Sequence, residues 1–169
     1  MQIEIGSPLG PLTLTSIEGK LTQLQFAGQR ASNPDIQNKD PATKDLLIIQ
    51  QASLQLLEYF NGKRQEFSLP LSPQGTKFQK EAWNIIKKIP YGETRSYTWQ
   101  SDAMKKLRAQ RAVGVANSKN PLPIFIPCHR IIAKNGSLKS YVGGALVKKR
   151  LLFHEVFFNS GEKLGFPLE

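Results

Sequence analysis

The sequence predicts an α/β protein in two parts. The first is a small N-terminal α/β domain with a short antiparallel sheet; the second is a mainly helical C-terminal domain. Three observations carry this reading. Apolar residues fall in short strand-like runs before residue 30 but recur at helical spacing after residue 76. Between the two lies Ser68-Leu69-Pro70-Leu71-Ser72-Pro73-Gln74-Gly75, whose two prolines and glycine read as a linker. The charge changes at the same place: residues 1–70 hold 6 Lys/Arg against 7 Asp/Glu, and residues 71–169 hold 17 against 6.

In chain order, Ile3/Ile5, Leu12/Leu14 and Leu21/Leu24/Phe26 suggest three strands. Pro8 and Gly10-Pro11 break them, and Glu18-Gly19 makes a hairpin turn. A polar stretch from Gly28 to Thr43 separates this sheet from a helix marked by Leu46, Leu47, Ile49, Leu54, Leu56, Leu57 and Phe60, with Asn61-Gly62 as its stop. After the linker, Thr76-Lys77-Phe78-Gln79 fits a capping box, in which the Thr hydroxyl and the Gln side chain satisfy the free amides of a helix start. Phe78, Ala82, Trp83, Ile85, Ile86 and Ile89 form the apolar stripe of that helix, ended by Pro90-Tyr91-Gly92. Two short helices are expected at about 98–106 and 108–117, the second basic and rich in small residues. That pair is a weak helix-turn-helix signal, and an ordinary packed helical pair fits it equally well. A last helix, 145–158, is expected to bury Leu146, Leu151, Leu152, Val156 and Phe157.

Composition excludes several classes. At 169 residues and 40% hydrophobic, the chain can bury a core, and no run approaches the roughly 18 apolar residues of a spanning helix. Its N-terminus has neither a basic start nor an apolar signal core, so a cytoplasmic rather than secreted protein is expected. One cysteine permits no internal disulfide, and one Cys with two His cannot complete a four-ligand structural zinc site. The net charge of +10, concentrated in the second part, fits a polyanion partner such as nucleic acid. A solubilising surface is the plainer alternative, and composition does not separate DNA from RNA or anionic lipid.

The chemical signal is Pro121-Leu122-Pro123-Ile124-Phe125-Ile126-Pro127-Cys128-His129-Arg130-Ile131-Ile132, where the lone cysteine adjoins one of two histidines at the end of an apolar run. A free thiol is mostly protonated at pH 7, and a neighbouring cation or base changes that. An inert buried Cys followed by a surface His is one reading of the pair. A Cys-His hydrolase is another, although adjacent side chains point apart, so the imidazole reaches the thiol more readily through a water.

Pro127-Cys128-His129-Arg130-Ile131 resembles the active-site signature of the O6-alkylguanine-DNA alkyltransferases. Further segments agree in order: Ser7-Pro8-Leu9-Gly10-Pro11-Leu12, Thr76 to Trp83, Ile89 to Tyr97, Arg111-Ala112-Val113-Gly114 leading to Asn120-Pro121, Tyr141-Val142-Gly143-Gly144, and Leu151 to Glu155. The resemblance spans essentially the whole chain and is strongest from 76 to 155. It implies a ribonuclease H-like domain over 1–70 and, over 71–169, a DNA-binding and alkyl-acceptor domain with a winged-helix-like helix-turn-helix.

The resemblance also implies a mechanism: direct-reversal repair in which Cys128 takes an alkyl group irreversibly from O6 of guanine, with O4-alkylthymine left open as a second substrate. His129 would be the general base through a water, Glu155 would orient it, and Asn120 would bridge the recognition helix and the active-site segment. Tyr97 would serve the leaving oxygen. Pro123, Tyr141 and the backbone of Val142-Gly143 would line the base pocket. Arg111 would enter the duplex in place of the extruded base, with Ala112 and Gly114 allowing close approach. Ser96 and Arg130 are further DNA-contact candidates, and Lys105, Lys106, Arg108, Lys119 and Lys134 are phosphate-contact candidates. His154 is expected at the surface. No cofactor and no metal is implied. The partner is double-stranded DNA carrying alkylated bases, met by a monomer, with cooperative binding left open and no membrane involved. Thr98 to Leu107 departs from the family pattern, although the spacing from Tyr97 to Arg111 is kept. A non-catalytic binder of alkylated bases, a DNA-binding regulator and a thiol hydrolase are the alternatives.

Overall fold

The computed structural model describes residues 1–29, 43–138 and 141–160. Most of the polar stretch after Gly28 (residues 30–42) lies outside the described residues. The chain divides into two compact units, Met1–Gln74 and a second beginning at Gly75. The boundary therefore falls a few residues after 70/71. The reason is pairing: Leu21 N–H donates to Pro70 O at 2.9 Å and Ser72 N–H to Leu21 O at 2.8 Å, so Leu71 bridges to Leu21 in parallel. The prolines sit where no ladder donor is needed, and what reads as linker closes on the first sheet.

In the first unit β1 (Gln2–Ile5), β2 (Leu12–Ile17) and β3 (Lys20–Phe26) form an antiparallel sheet in the order β1-β2-β3. Ile3 stands opposite Leu14, and Leu14 opposite Leu24, which puts one apolar set on one face. Helix α1 (Thr43–Phe60) packs on β2 and β3 through Ile49, Ala52, Leu56 and Tyr59. Of the leucines that marked this helix in the sequence, Leu46, Leu47, Leu54 and Leu57 stay exposed. The β2–β3 turn places Glu18 (φ 53°) and Gly19 (φ 73°) both in the left-handed region. Such a turn favours Asn-Gly, because a Cβ crowds the backbone there and Asn tolerates it best. Asp45 at the start of α1 fixes the turn by accepting from Gly19 N–H at 2.6 Å and Ser16 Oγ–H at 2.9 Å. Glu18→Asn is therefore expected to raise stability by about 0.5 kcal/mol, read as a higher Tm.

The second unit begins with α2 (Lys77–Ile86), capped reciprocally: Thr76 Oγ1 accepts from Gln79 N–H at 3.3 Å and Gln79 Oε1 from Thr76 N–H at 2.8 Å. Next come β4 (Arg95–Ser96), α3 (Tyr97–Ala103) and α4 (Gln110–Ser118). Then β5 (Ile131–Ile132), parallel to β4, and α5 (Gly144–Asn159) complete the unit. Helices α2, α3 and α4 enclose Ala82, Met104, Val113 and Ala116. Polar ties fix their register. Trp83 Nε1–H donates to Ala116 O at 3.0 Å, and the buried amides of Gln100 and Asn117 exchange hydrogen bonds of 2.8 and 3.2 Å across α3 and α4.

Both middle helices are shorter than the expected 98–106 and 108–117, because Lys105 (φ 55°) and Arg108 (φ 59°) leave the helical region. Lys105 N–H donates to Asp102 O and Lys106 N–H to Ser101 O, at 2.8 and 2.9 Å. That is a Schellman closure, with lysine where glycine is usual.

Helix α5 departs most from expectation. Its buried residues are Lys148, Leu151, His154 and Glu155, whereas Leu146, Phe153 and Val156 are more than half exposed. Apolar periodicity misorients this helix, since its inward polar residues are held by specific partners rather than by hydrocarbon. His154, expected at the surface, is 1% exposed, with its ring 4.8 Å from that of Phe158. No helix among the described residues is long and apolar enough to cross a membrane.

Candidate active site

Cys128 opens a single 3-10 turn, Cys128–Arg130, that follows a buried strap from Leu122 to Pro127. The strap is held tightly. Asn120 Nδ2–H donates to Ile126 O at 2.8 Å, Asn120 Oδ1 accepts from Leu122 N–H at 3.0 Å, and Ile126 N–H donates to Leu122 O at 2.8 Å. Ile124 sits at φ 74°, a conformation costly for a β-branched residue and maintained only where the surroundings over-determine it. Pro123 lies buried in this strap. Asn120 also reaches the sulfur itself, with Nδ2 3.1 Å from Cys128 Sγ. One amide thus anchors both the segment carrying the thiol and the thiol.

Cys128 is 4% exposed, and burial pushes its thiol up to about 11, against smaller downward effects of the Asn120 hydrogen bond and the Lys148 ammonium. At neutral pH it is a protonated thiol that needs a base on approach. The adjacent His129 is fully buried, its Nε2 is 2.8 Å from Glu155 Oε1, and its Nδ1 has no hydrogen-bond partner among the described residues. Since Glu155 can only accept when ionised, Nε2 carries the proton and Nδ1 keeps a lone pair. Burial holds the imidazole below its ordinary pKa, outweighing the pull of Glu155, with Arg130 and Lys148 adding to the lowering. The ring is therefore a neutral base.

Glu155 is the hub of the site. Burial alone would raise its pKa, but His129 and the Arg130 guanidinium outweigh burial and hold the carboxyl well below the usual range. Arg130 Nε and Nη2 donate to its two oxygens at 2.8 and 2.9 Å, and Gly92 N–H donates to Oε2 at 3.1 Å. Arg130 Nη1 donates to Ile89 O at 2.7 Å. The carboxylate thus ties α5, the 3-10 turn and the loop after α2. These bonds correct the reading of Arg130 as a DNA contact. Its guanidinium is buried and committed to Glu155 and Ile89, supplying the charge that lets His129 remain neutral.

Lys148 is a residue the sequence reading missed. It is fully buried, donates from Nζ to Ile131 O at 2.6 Å, and its charge lowers the pKa of Cys128. The available signal was its place three and seven residues before Leu151 and Glu155, on the same helical face.

The remaining candidates surround the thiol unequally. Tyr97 is half-buried at the start of α3, and burial together with the nearby sulfur raises its phenol pKa, so the hydroxyl stays protonated. Tyr141 is buried edge-on to the His129 ring at 6.3 Å, and burial, the sulfur and Glu155 raise its phenol well above its ordinary value. Val142 and Gly143 are half-buried before α5. Ser96 Oγ accepts from Trp99 N–H at 3.1 Å and caps α3. Arg111 and Ala112 are exposed on the first turn of α4, and Gly114 lies against the Tyr97 ring, where an added Cβ would stand 3.6 Å from Cε1. Tyr97, Arg111, Gly114 and Ser118 line an open cleft of about 600 Å³ with Ala133 and Ser137, within the size range of small-molecule sites. Lys105, Lys106, Arg108, Lys119 and Lys134 are all exposed.

Fold and site together define a class: proteins with a helix-turn-helix pair and one buried cysteine set beside a neutral imidazole and an ionised carboxylate. Two family models cover nearly the whole chain. The 6-O-methylguanine DNA methyltransferase ribonuclease-like domain matches residues 4–73, and the DNA binding domain of the same family matches 77–157. The chain is 40% identical over 146 residues to the methylated-DNA–protein-cysteine methyltransferase of Methanosarcina acetivorans, covering 86% of this chain and 92% of that one. It is also 40% identical over 148 residues to the constitutive enzyme of Bacillus subtilis, covering 88% and 90%. Among solved structures, Mycobacterium tuberculosis OGT in complex with DNA superposes with a TM-score of 0.83 at 40% identity, over 92% of each chain. The chain belongs to the 6-O-methylguanine DNA methyltransferase family.

Proposed function

We propose that this protein repairs DNA by direct reversal, moving the alkyl group of O6-alkylguanine irreversibly onto Cys128. The observation that carries the proposal is the buried chain from sulfur to charge: Asn120 on Sγ, neutral His129 next to it, and Glu155 held ionised by Arg130.

In the reaction His129 Nδ1 takes the thiol proton through a water, and the imidazolium is stabilised by Glu155 on its other nitrogen. The Asn120 amide and the Lys148 ammonium stabilise the thiolate. Sulfur attacks the alkyl carbon in line, an S–C bond forms and the C–O6 bond breaks. Guanine departs as its anion and is protonated to guanine, with the Tyr97 hydroxyl donating toward the leaving oxygen. Thiol plus O6-alkylguanine becomes thioether plus guanine, with no net gain or loss of protons. Because a thioether is not readily cleaved, each molecule acts once. Pro123, Tyr141, Val142 and Gly143 close around the base.

Reaching O6 in a duplex requires turning the nucleotide out of the stack, at a cost of a few kcal/mol. Arg111, exposed at the front of α4 and lining the cleft, fills the gap, while Ala112 and Gly114 let the helix approach closely. A purely binding role would not need a thiol with its own base.

Incubation with a duplex containing one O6-methylguanine, followed by mass spectrometry, is expected to find one methyl group per protein on Cys128 and then no further reaction. Repeated turnover would favour a hydrolase, and tight binding with no mass change a binding protein. Arg111→Ala is expected to slow repair of the duplex at least tenfold more than reaction with free O6-methylguanine base, since a few kcal/mol of extrusion applies only to the duplex. Equal slowing of both would remove Arg111 from extrusion.

A further inference from the structure

Between α3 and α4 the chain makes a turn that the repair chemistry does not use. Lys105 and Arg108 are both left-handed, and they bracket Lys106-Leu107. The turn is not loose. Its first half is the Schellman closure on Ser101 and Asp102; Ala109 N–H donates to Lys106 O at 3.2 Å, and buried Met104 anchors its base. Leu107 stands at the summit with 85% of its surface exposed, higher than any other large apolar residue described. A single exposed leucine is ordinary on a protein surface and carries nothing by itself; what sets Leu107 apart is that it stands on a hydrogen-bonded tip among exposed cations.

Its surroundings say what it can meet. Lys105, Lys106 and Arg108 are all exposed beside Leu107, and no acidic residue interrupts 103–111. Arg108 also lines a groove of about 560 Å³ with Arg111, Ala112, Val115 and Phe78, so the basic tip continues into the face of α4 that carries Arg111. Three cations around one apolar side chain match a polyanion that offers apolar edges as well as phosphates. Duplex DNA does so in its minor groove, where sugars and base edges accept leucine wedges.

We propose that Leu107 is a second, apolar DNA contact, pressing on the sugar wall of the minor groove while Lys105, Lys106 and Arg108 hold the flanking phosphates. It rests on the repair reading, and it gives the segment Thr98 to Leu107, which departs from the family pattern, a task. Arg111 acts at the lesion; Leu107 braces the duplex beside it.

The test is a salt titration of binding to undamaged duplex, with Leu107→Ser and Lys106→Ala compared with the parent protein. Leu107→Ser is expected to lower affinity about fivefold, less than the value of a fully buried leucine, and to leave the slope of log K against log salt unchanged. Lys106→Ala should reduce the magnitude of that slope by about 0.9, the signature of one lost phosphate contact. Leu107→Ser should also slow methyl transfer from duplex while its reaction with free O6-methylguanine base and its Tm match the parent. Unchanged duplex affinity in Leu107→Ser overturns the proposal, and so does an affinity loss accompanied by a smaller salt slope, which would make leucine a mere support for the cations. Failure of the parent itself to bind duplex would instead defeat the repair reading beneath it.

Discussion

Cys128→Ala is expected to abolish methyl transfer completely while the protein still holds duplex DNA and keeps its fold. Sulfur is the only atom that forms a bond to substrate, so no residual rate remains to be shared among other groups. The side chain removed is small, and its loss frees only one of the two bonds made by Asn120 Nδ2; the bond to Ile126 O at 2.8 Å remains and keeps the strap in place. Two measurements check this: the mass of the protein after exposure to O6-methylguanine duplex, and a binding isotherm on the same DNA. Transfer retained in the variant would move the acceptor elsewhere in the chain.

The second large effect belongs to Glu155→Gln. An amide cannot neutralise Arg130, which is left as a buried guanidinium without a counter-charge, and loss of one partner of such a pair costs about 3–5 kcal/mol. The amide can also donate to His129 Nε2, which forces the proton onto Nδ1 and removes the lone pair that takes the thiol proton. Transfer is therefore expected to fall by roughly 10²–10⁴ even at temperatures where the variant is folded. Adding Arg130→Met should return much of the stability without the activity. Recovery of both would mean that Glu155 acts on the fold alone.

The same groups set the pH dependence. His129 is held below its ordinary 6.5, so the transfer rate is expected to be level through neutrality and to fall only as acidification protonates the ring, beneath 6.5. With the thiol pushed up to about 11, direct ionisation adds rate only at strongly alkaline pH. Stability follows the same sign. A His depressed in the fold favours the folded state above 6.5 and loses that contribution as pH falls toward its folded value, because the unfolded chain takes the proton first. Glu155, depressed from 4.5, contributes fully above 4.5 and loses its contribution below it. Rate measurements on free O6-methylguanine base and thermal melts, both from pH 4 to pH 9, test the two parts. A rate that climbs steadily from pH 6 to pH 9 would mean that hydroxide, not His129, removes the proton.

How much of this was legible in the sequence depends on the range of the interaction. Local features read directly. The Glu18-Gly19 turn, the Thr76–Gln79 capping box and the three strands each depend on residues a few positions apart, and the hydrogen bonds that make them were implicit in those residues. The Cys128-His129 pair and its neighbours carried the family resemblance because that motif is contiguous. Glu155 was named only through that resemblance, since it lies 26 residues from His129 and reads alone as a solvated helix charge.

What tertiary structure decided is which way the polar side chains face. Periodicity assigns apolar residues inward, and on α5 that put Leu146 and Val156 in the core and His154 at the surface; all three are reversed. Arg130 reads as a DNA-contact candidate because an isolated arginine is cheapest in water, yet with Glu155 at 2.8 Å and Ile89 O at 2.7 Å it is stable in the interior. Lys148 escaped notice for the same reason. The two parts of the chain, their local elements and the adjacent Cys128-His129 pair are all written in contiguous residues. Only packing in three dimensions could bring a carboxylate, a guanidinium and an imidazole together, and charges enter a core only when partners from distant segments meet them there.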